Sequence, residues 1–283
     1  MWAVFRSTNR VSLARRIAIV VIVFSVGCNR RIPRTPSLDD VFRKGELAEV
    51  VLAACDEDEA RLSKALKQTD VNQTGRWGIT PLLWTIMNNK FTAYELLLQH
   101  GANPNILAED GRSVMRLGAG HADSRWLSLA LEHNGDPNLL DNKNRYVPLT
   151  TPIFDAIAHH RVDNASMLLQ AGANFNVQNG RGETPLNYAC QFGQYDIAYK
   201  LLMAGADHRL RTPKGSSVAR LTQYESPNPI ILPGQEHQEL FRRKIIKWLV
   251  SQGEIPASAL DLFANDPIEA TTIEAESREA IKQ

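Results

Sequence analysis

The sequence predicts an all-α solenoid built from repeated helix pairs. A Thr-Pro-Leu triplet or a close variant of it recurs along the chain, starting at Thr80, Ser113, Thr151, Thr184 and Ser217. Successive starts lie 33, 38, 33 and 33 residues apart. The first four are each followed, 21 residues later, by a glycine or an asparagine: Gly101, Asn134, Gly172 and Gly205. A period of this length is typical of proteins in which one small unit stacks on the next.

Each repeated unit contains the residues that start and stop two helices. Thr or Ser caps the first helix and Pro is tolerated at its first position, where no hydrogen bond is lost. The second helix ends at a glycine, which readily adopts the left-handed conformation, and Asn134 is the other residue type that tolerates it. Leucines such as Leu97 and Leu98 precede that end and are expected to face the neighbouring unit. Each unit is therefore predicted to be a turn, a short helix, a second helix and a glycine exit.

Two segments carry the pattern almost throughout: "GETPLNYACQFGQYDIAYKLLMAGAD" and "GITPLLWTIMNNKFTAYELLLQHGANPN". Here the sequence resembles the ankyrin-repeat family, over roughly residues 47–253. The resemblance implies helix pairs with β-hairpin fingers on one side and about five to six repeats, including degenerate caps. We assign the ankyrin-repeat domain to residues 39–253.

The departures from the pattern are local. The unit that starts at Ser113 has Gly118 and Gly120 within its first helix, and interior glycines cost about 1 kcal/mol each relative to alanine; it is predicted to be the weakest internal joint. Five extra residues around "NRYVPLT" lengthen the next finger. A proline-rich loop at 225–234 splits the last repeat, and the acidic tail 254–283 is either a capping helix or partly disordered.

The N-terminus predicts export. Residues 1–27 contain four arginines and no acid, followed by the apolar run "IAIVVIVFSV" and then Gly27-Cys28. Ten helical residues span only about 15 Å, half of a bilayer core, which favours a signal peptide over a spanning helix. Gly27-Cys28 resembles the lipobox of bacterial lipoproteins, with Ser25 at the position where leucine is usual. That resemblance implies lipidation of Cys28; an ordinary signal peptide or an uncleaved anchor remains the alternative.

These features predict the location of the protein. A linker, residues 28–38, would join lipidated Cys28 to the repeats and hold them at the bacterial cell envelope, facing the periplasm. Its basic residues would lie at the headgroup layer. The alternatives are a soluble secreted protein and an intracellular ankyrin protein.

No residue pattern indicates catalysis or a cofactor. The chain lacks the common nucleotide-binding, hydrolase and zinc-protease motifs, and no small-molecule substrate is evident. The net charge of +1 argues against a nucleic-acid binder. His159-His160 is the only adjacent histidine pair and is expected to be solvated, so no metal site is predicted. Cys55 and Cys190 are expected to be buried free thiols.

The remaining function is protein binding, and the family resemblance implies the finger tips and the first helices as its surface. The residues that fall there are Arg76, Trp77, Ile79, Met87, Asn88, Glu109, Arg112, His121, Tyr146, His159, Arg181, Gln191, Phe192, Lys214 and Tyr224. Aromatic residues and arginine are enriched in binding hot spots. For Trp77 and Phe192 the alternative is packing against the adjacent repeat.

The fingers also contain more basic than acidic residues. Their cations are Arg76, Arg112, Lys143, Arg145, Arg181, Arg209, Arg211 and Lys214, against Glu109, Asp110, Asp141 and Glu183. This charge either forms a solvated face or offers a surface to an acidic protein partner. The acidic tail could also fold back onto it.

The sequence therefore predicts a membrane-tethered, non-catalytic module that binds another protein, as an inhibitor, an immunity-type protein or an assembly helper for an enzyme. The alternatives are an envelope scaffold with several weak partners and an enzyme whose site lies in the loop or the tail.

Overall fold

In the computed structural model the described residues are 34–43, 45–142, 149–212, 214–222 and 236–261. They contain thirteen α-helices: α1 (Leu38–Phe42), α2 (Glu46–Cys55), α3 (Glu59–Leu66), α4 (Pro81–Met87), α5 (Phe91–Gln99), α6 (Val114–Gly120), α7 (Arg125–Glu132), α8 (Pro152–Ala158), α9 (Val162–Gln170), α10 (Pro185–Gln191), α11 (Tyr195–Met203), α12 (Val218–Leu221) and α13 (Glu236–Ser251). Two 3₁₀ turns, Arg76–Gly78 and Ala257–Ala259, complete the described elements.

The helices pair into six units, which confirms the predicted all-α repeat fold and its number of repeats. Helices α2–α3, α4–α5, α6–α7, α8–α9, α10–α11 and α12–α13 form units 1 to 6. The first helix of each pair is the inner helix and the second is the outer helix. No residue in the described ranges belongs to a β-strand, so the expected fingers are present there as hairpin-like turns.

The predicted caps explain where the inner helices start. The hydroxyl of Thr80 accepts a hydrogen bond from the backbone N–H of Leu83 at 3.1 Å, and that of Thr184 accepts from Asn187 at 3.2 Å. Ser113 and Ser217 cap α6 and α12 in the same way. Thr151 is the exception, because its side chain makes no cap bond.

The hydrophobic core lies between the helix layers of neighbouring units. The first residue of the predicted leucine pair is fully buried at equivalent positions of units 2 to 5: Leu97, Ala130, Leu168 and Leu201. Small residues such as Ala156 and Ala189 are also fully buried, which lets adjacent helices approach closely. The stacking order follows from this burial, because each unit covers the apolar face of the one before it.

An asparagine column bridges the loops between units. The side chain of Asn105 donates to the carbonyl of Asn134 at 2.9 Å and accepts from the N–H of Asp136 at 2.7 Å. Asn72 and Asn138 make the same pair of bonds to the following unit. The residue after each outer helix must lie close to this amide, which explains the fixed spacing between the glycine exit and the asparagine.

A short N-terminal segment, which we call the strap (residues 34–43), packs on unit 2. The indole nitrogen of Trp84 donates to the carbonyl of Pro36 at 2.9 Å, and the amide of Asn88 donates to the same oxygen at 3.3 Å. Val41 and Phe42 are buried. At the other end, Ile255 and Ala259 are buried against the last unit. The packed chain thus extends beyond the predicted domain boundaries at residues 39 and 253.

The glycines of unit 3 have a packing role. A Cβ on Gly118 would lie 3.3 Å from the Cα of Leu127, and one on Gly120 would lie 2.9 Å from the Nδ1 of His159. The side chain of Asn164 donates to the carbonyls of Gly118 and Ala119 at 3.1 and 2.9 Å. The close packing that these glycines allow therefore offsets part of their helix-propensity cost. That unit 3 is the weakest internal joint stays a prediction.

Candidate protein-binding surface

The fingers are built on a repeated turn. In each of four fingers one backbone bond closes the turn, for example from the N–H of Ala108 to the carbonyl of Arg112 at 2.8 Å and from Asn179 to Glu183 at 3.0 Å. A glycine with positive φ follows the tip, as at Gly111 (82°) and Gly182 (70°). Neighbouring fingers also bond to each other, since the N–H of Glu109 donates to the carbonyl of Trp77 at 2.9 Å. The first two described fingers are therefore linked to each other, and we call the successive fingers the finger row.

Two of the four acidic residues counted for the fingers are not on the surface. Asp141 is buried and its carboxylate accepts from the guanidinium of Arg116 at 2.8 Å. Glu183 is buried and accepts from the amide of Asn179 at 3.1 Å. The exposed charge of the row is consequently more basic than the composition of the fingers suggests.

The finger cations divide into two groups. Arg112 pairs with Asp110 at 2.7 Å, and Arg209 pairs with Glu254 at 3.2 Å. The side chains of three others are exposed and form no ion pair with the described residues: Arg181, Arg211 and Lys214. Arg76 is also exposed, with its guanidinium 4.5 Å from the ring centroid of Trp77. Among the described residues of the row, the exposed cations without an ion pair are therefore Arg181 on finger 5 (179–183), Lys214 on finger 6 (212–216), Arg211 immediately before finger 6, and Arg76 on the first described finger.

We call the surface that the inner helices form next to the fingers the groove, and several of the predicted residues belong to it. His121, His159 and Phe192 follow the ends of α6, α8 and α10 at equivalent positions, and Gln191 precedes Phe192. His159 and Gln191 are exposed, while His121 and Phe192 are half-buried. These four residues thus occupy equivalent or adjacent positions at the ends of their inner helices, and their part in partner binding stays a prediction.

Tyr188 adds an aromatic contact to this face. Its ring lies 4.6 Å from that of Phe192 and 5.5 Å from that of Phe154, measured between centroids. Burial, with a smaller contribution from Asp155, raises the pKa of Tyr188, so its hydroxyl remains a hydrogen-bond donor at neutral pH. Phe192 is therefore partly packed against its neighbours and partly exposed, which combines the two alternatives that the sequence leaves open.

Two of the residues expected at the surface are buried, and the sequence-based assignment is wrong for them. Ile79 has no exposed surface, and Met87 is 8% exposed. Met87 lies in the inner helix α4 and Ile79 lies just before it, and both side chains pack within the core. Asn88 is half-buried and bonds to the strap, and Trp77 is half-buried with a φ of 62°.

The remaining finger residues lie at the surface. Glu109 and Lys214 are exposed, and Arg112 is half-buried by its pairing with Asp110. Four assignments lie outside the described residues: Cys28, Tyr146, Tyr224 and the basic pair Lys143 and Arg145.

The histidine pair after α8 is split between two environments. His159 is exposed, with its Nδ1 2.9 Å from the carbonyl of Asp155. His160 reaches unit 5, where its Nε2 lies 2.9 Å from a carboxylate oxygen of Asp196. Among the described residues no group of three or more histidine, cysteine or acidic side chains is arranged to hold a metal ion. Cys190 is buried and Cys55 is half-buried, both as free thiols.

Sequence reasoning missed the ion cluster of Arg116, Asp141 and Asp155. Arg116 occupies the position that Leu83 and Phe154 hold in the neighbouring units, three residues after the cap. A charged residue at a position that is apolar in both neighbouring units is a signal of a buried pair, because an unpaired buried charge is strongly unfavourable. Tyr188 could also have been found, since it lies at the position equivalent to Trp84.

Known proteins with ankyrin repeats are similar to this chain. Family models described as ankyrin repeats match residues 77–109 and 153–202. Human cyclin-dependent kinase inhibitor 2A is 33% identical over 137 residues, covering 47% of this chain and 80% of the relative. The chain belongs to the ankyrin-repeat family.

Other ankyrin-repeat relatives agree with this assignment. Bovine cyclin-dependent kinase 4 inhibitor B is 30% identical over 137 residues, covering 47% of this chain and 98% of the relative. Human Rabankyrin-5 is 29% identical over 167 residues, and the match spans 54% of this chain but only 13% of the relative. An ankyrin repeat domain from Acinetobacter baumannii AYE has the same fold, with 24% identity, a TM-score of 0.57 and coverage of 72% of this chain and 97% of that one.

Ankyrin-repeat relatives are protein-interaction modules, and two of those above are named as inhibitors of protein kinases. Within the described ranges no helix is long and apolar enough to cross a membrane.

Proposed function

We propose that this ankyrin-repeat protein is a non-catalytic module that is held at the bacterial cell envelope and binds a protein partner through its fingers and inner helices. The observation that carries the proposal is the distribution of charge on the finger row. Arg181, Arg211 and Lys214 are exposed, whereas the nearby acids Asp141 and Glu183 are buried. A surface of this kind attracts an acidic partner and orients it before contact.

The groove supports the same function. Phe192 and Tyr188 present aromatic surface beside the exposed amide of Gln191, at the C-terminal end of the inner helix that follows finger 5. Aromatic residues next to arginine are the usual composition of binding hot spots. The expected partner is therefore a protein with an acidic face and an apolar element that reaches the groove.

The tether is the second part of the proposal. A lipid on Cys28 would hold the repeats close to the membrane, facing the periplasm, because only a short linker precedes the strap. Intact mass of the protein from its own envelope tests this directly. Loss of residues 1–27 with an added acyl mass is expected, and the full unmodified chain would overturn the tether.

Affinity capture with chemical cross-linking from the same envelope tests the binding function. The test variant carries Arg181→Ala and Phe192→Ala. The matched control carries Lys200→Ala and Met203→Ala, one cation and one apolar residue that are exposed on the outer helix α11. One stoichiometric partner that is lost in the test variant and retained in the control supports the proposal.

Other results have distinct meanings. Several weak partners that persist in the test variant would indicate an envelope scaffold instead. No partner above background would overturn the binding function.

A further inference from the structure

The strap occupies one end of the groove. Pro36 bonds to Asn88 at the end of α4, and Phe42 contacts Gly75 at the base of the first described finger. The strap therefore reaches from the C-terminal end of α4, at Pro36, to the first described finger, at Phe42. Trp84, which faces this segment, is only 7% exposed. The inner-helix surface of unit 2 is covered by the chain itself.

The seat of the strap is specific to this unit. A Cβ on Gly75 would lie 2.6 Å from the Cδ1 of Phe42, so the ring fits only because residue 75 is a glycine. The described residues at the equivalent positions of the other fingers all carry a Cβ: Ala108, Asn179 and Thr212. Trp84 and Asn88, which both donate to the strap, have Leu117 and His121 as their counterparts in unit 3. The strap therefore belongs at this end of the groove and fits no other unit.

The strap also supplies negative charge to the first finger. Asp39 and Asp40 lie in α1, which packs beside Arg76–Gly78. Hydrogen bonds from Ser37 and, to a smaller extent, the positive charge of Arg76 lower the pKa of Asp40, so this carboxylate is ionised at neutral pH. The charge of Arg76 is thus partly balanced within the chain.

At the opposite end of the groove no described segment covers the inner helix, and Arg181 and Lys214 form no ion pair with the described residues. Gln191 is exposed, Tyr188 and Phe192 are half-buried, and Arg181 and Lys214 project from the adjacent fingers. Arg209, by contrast, pairs with Glu254 and lies outside this set. We call the surface formed by Arg181, Tyr188, Gln191, Phe192 and Lys214 the open section.

We propose that the strap closes the N-terminal end of the groove, and that the partner docks on the open section through an extended acidic segment with apolar or aromatic side chains. This inference deepens the proposed function and rests on it. The acidic residues of the segment meet Arg181 and Lys214, and its apolar side chains meet the ring pair of Tyr188 and Phe192. Arg76 and the unit 2 helix make no part of this contact.

The test compares two arginines on equivalent fingers in the full chain. The probe is a fluorescently labelled peptide of repeated Glu-Glu-Leu-Tyr blocks, with a Lys-Lys-Leu-Tyr peptide as the charge control. We expect Arg181→Glu to weaken binding of the acidic peptide about tenfold or more and Arg76→Glu to change it by less than about twofold. Both side chains are exposed, so circular dichroism is expected to show both variants folded.

Hydrogen exchange with the bound peptide provides the second readout. Protection is expected at residues 179–192 and not at 81–88. Equal loss of binding in the two variants, equal protection of both regions, binding of the basic peptide, or no binding of the acidic peptide would each overturn the inference. The proposed function is judged separately, by capture of a partner from the envelope. If a partner is captured but the acidic peptide does not bind, only the proposal that the partner docks on the open section is overturned.

Discussion

The guanidinium of Arg116 donates to both carboxylate oxygens of Asp155, at 2.8 and 3.1 Å, across the boundary between units 3 and 4. The same guanidinium donates to Asp141 at 2.8 Å. Burial opposes the charge of Arg116, but the two carboxylates outweigh it and raise its pKa. One arginine therefore ties the lengthened finger and two inner helices together.

Removal of one carboxylate from this cluster is expected to destabilise the fold. Asp155→Ala should lower the free energy of unfolding by about 3 kcal/mol, because the arginine stays buried with half of its partners lost. Urea denaturation followed by circular dichroism measures the change. The exposed Gln170→Ala in the same unit should change it by less than about 0.5 kcal/mol. In a double-mutant cycle of Asp155→Ala and Arg116→Ala, losses of unfolding free energy that are strictly additive would contradict an interaction between the two side chains.

The asparagine column predicts a local effect at the loops. Asn105→Ala removes two bonds to the next unit and should cost roughly 1–2 kcal/mol of unfolding free energy, since each such bond contributes about 1 kcal/mol net. The amide of Asp136 should exchange faster with solvent, because it donates to Asn105 at 2.7 Å. Mass spectrometry of hydrogen exchange would show this. Unchanged exchange at residue 136 would mean that the bridge does not order the loop.

The tight contact between Phe42 of the strap and Gly75 can be tested by adding a single methyl group at residue 75. Gly75→Ala places a Cβ 2.6 Å from the ring of Phe42 and 2.7 Å from the carbonyl of Val41. Overpacking of this kind costs about 1–3 kcal/mol, so residues 38–43 should show faster hydrogen exchange. Gly45→Ala is the control, because the nearest atom to its added Cβ lies at 3.8 Å. Equal effects of the two substitutions would contradict the tight fit at Gly75.

Alkaline pH is expected to weaken the fold. Burial raises the pKa of Cys190 to about 12, from an ordinary value of 9.0, and that of Tyr195 to about 12, from 10.0. Above pH 9.0 the unfolded chain loses these protons first, so the free energy of unfolding falls as pH rises and continues to fall to about pH 12. Denaturation at a series of pH values measures the slope. In a combined Cys190→Ala and Tyr195→Phe variant the free energy of unfolding should fall less as pH rises. An unchanged slope would mean that other groups cause the decline.

The period of the chain was sufficient to predict the helix pairs, because the capping hydroxyls, the helix-ending glycines and the buried leucines are local requirements. Thr80, Thr184, Leu97 and Leu201 do what their positions in the repeat predict. The asparagine column follows the helix exits at a constant spacing, since Asn105 comes four residues after Gly101 and Asn138 comes four residues after Asn134. Of the residues predicted at the surface, Arg181, His159 and Gln191 are exposed, and their binding role stays a prediction.

The tertiary structure alone decided which finger charges remain available and which end of the groove is open. Whether Asp141 faces solvent depends on Arg116, which lies 25 residues earlier on α6, whereas Glu183 bonds to Asn179 within its own finger. Exposure of Met87 and Asn88 likewise depends on how neighbouring segments pack around α4, and no periodicity encodes that for a single unit. The sequence determined the repeat, because its signals act within one unit; the contacts between segments determined the surface.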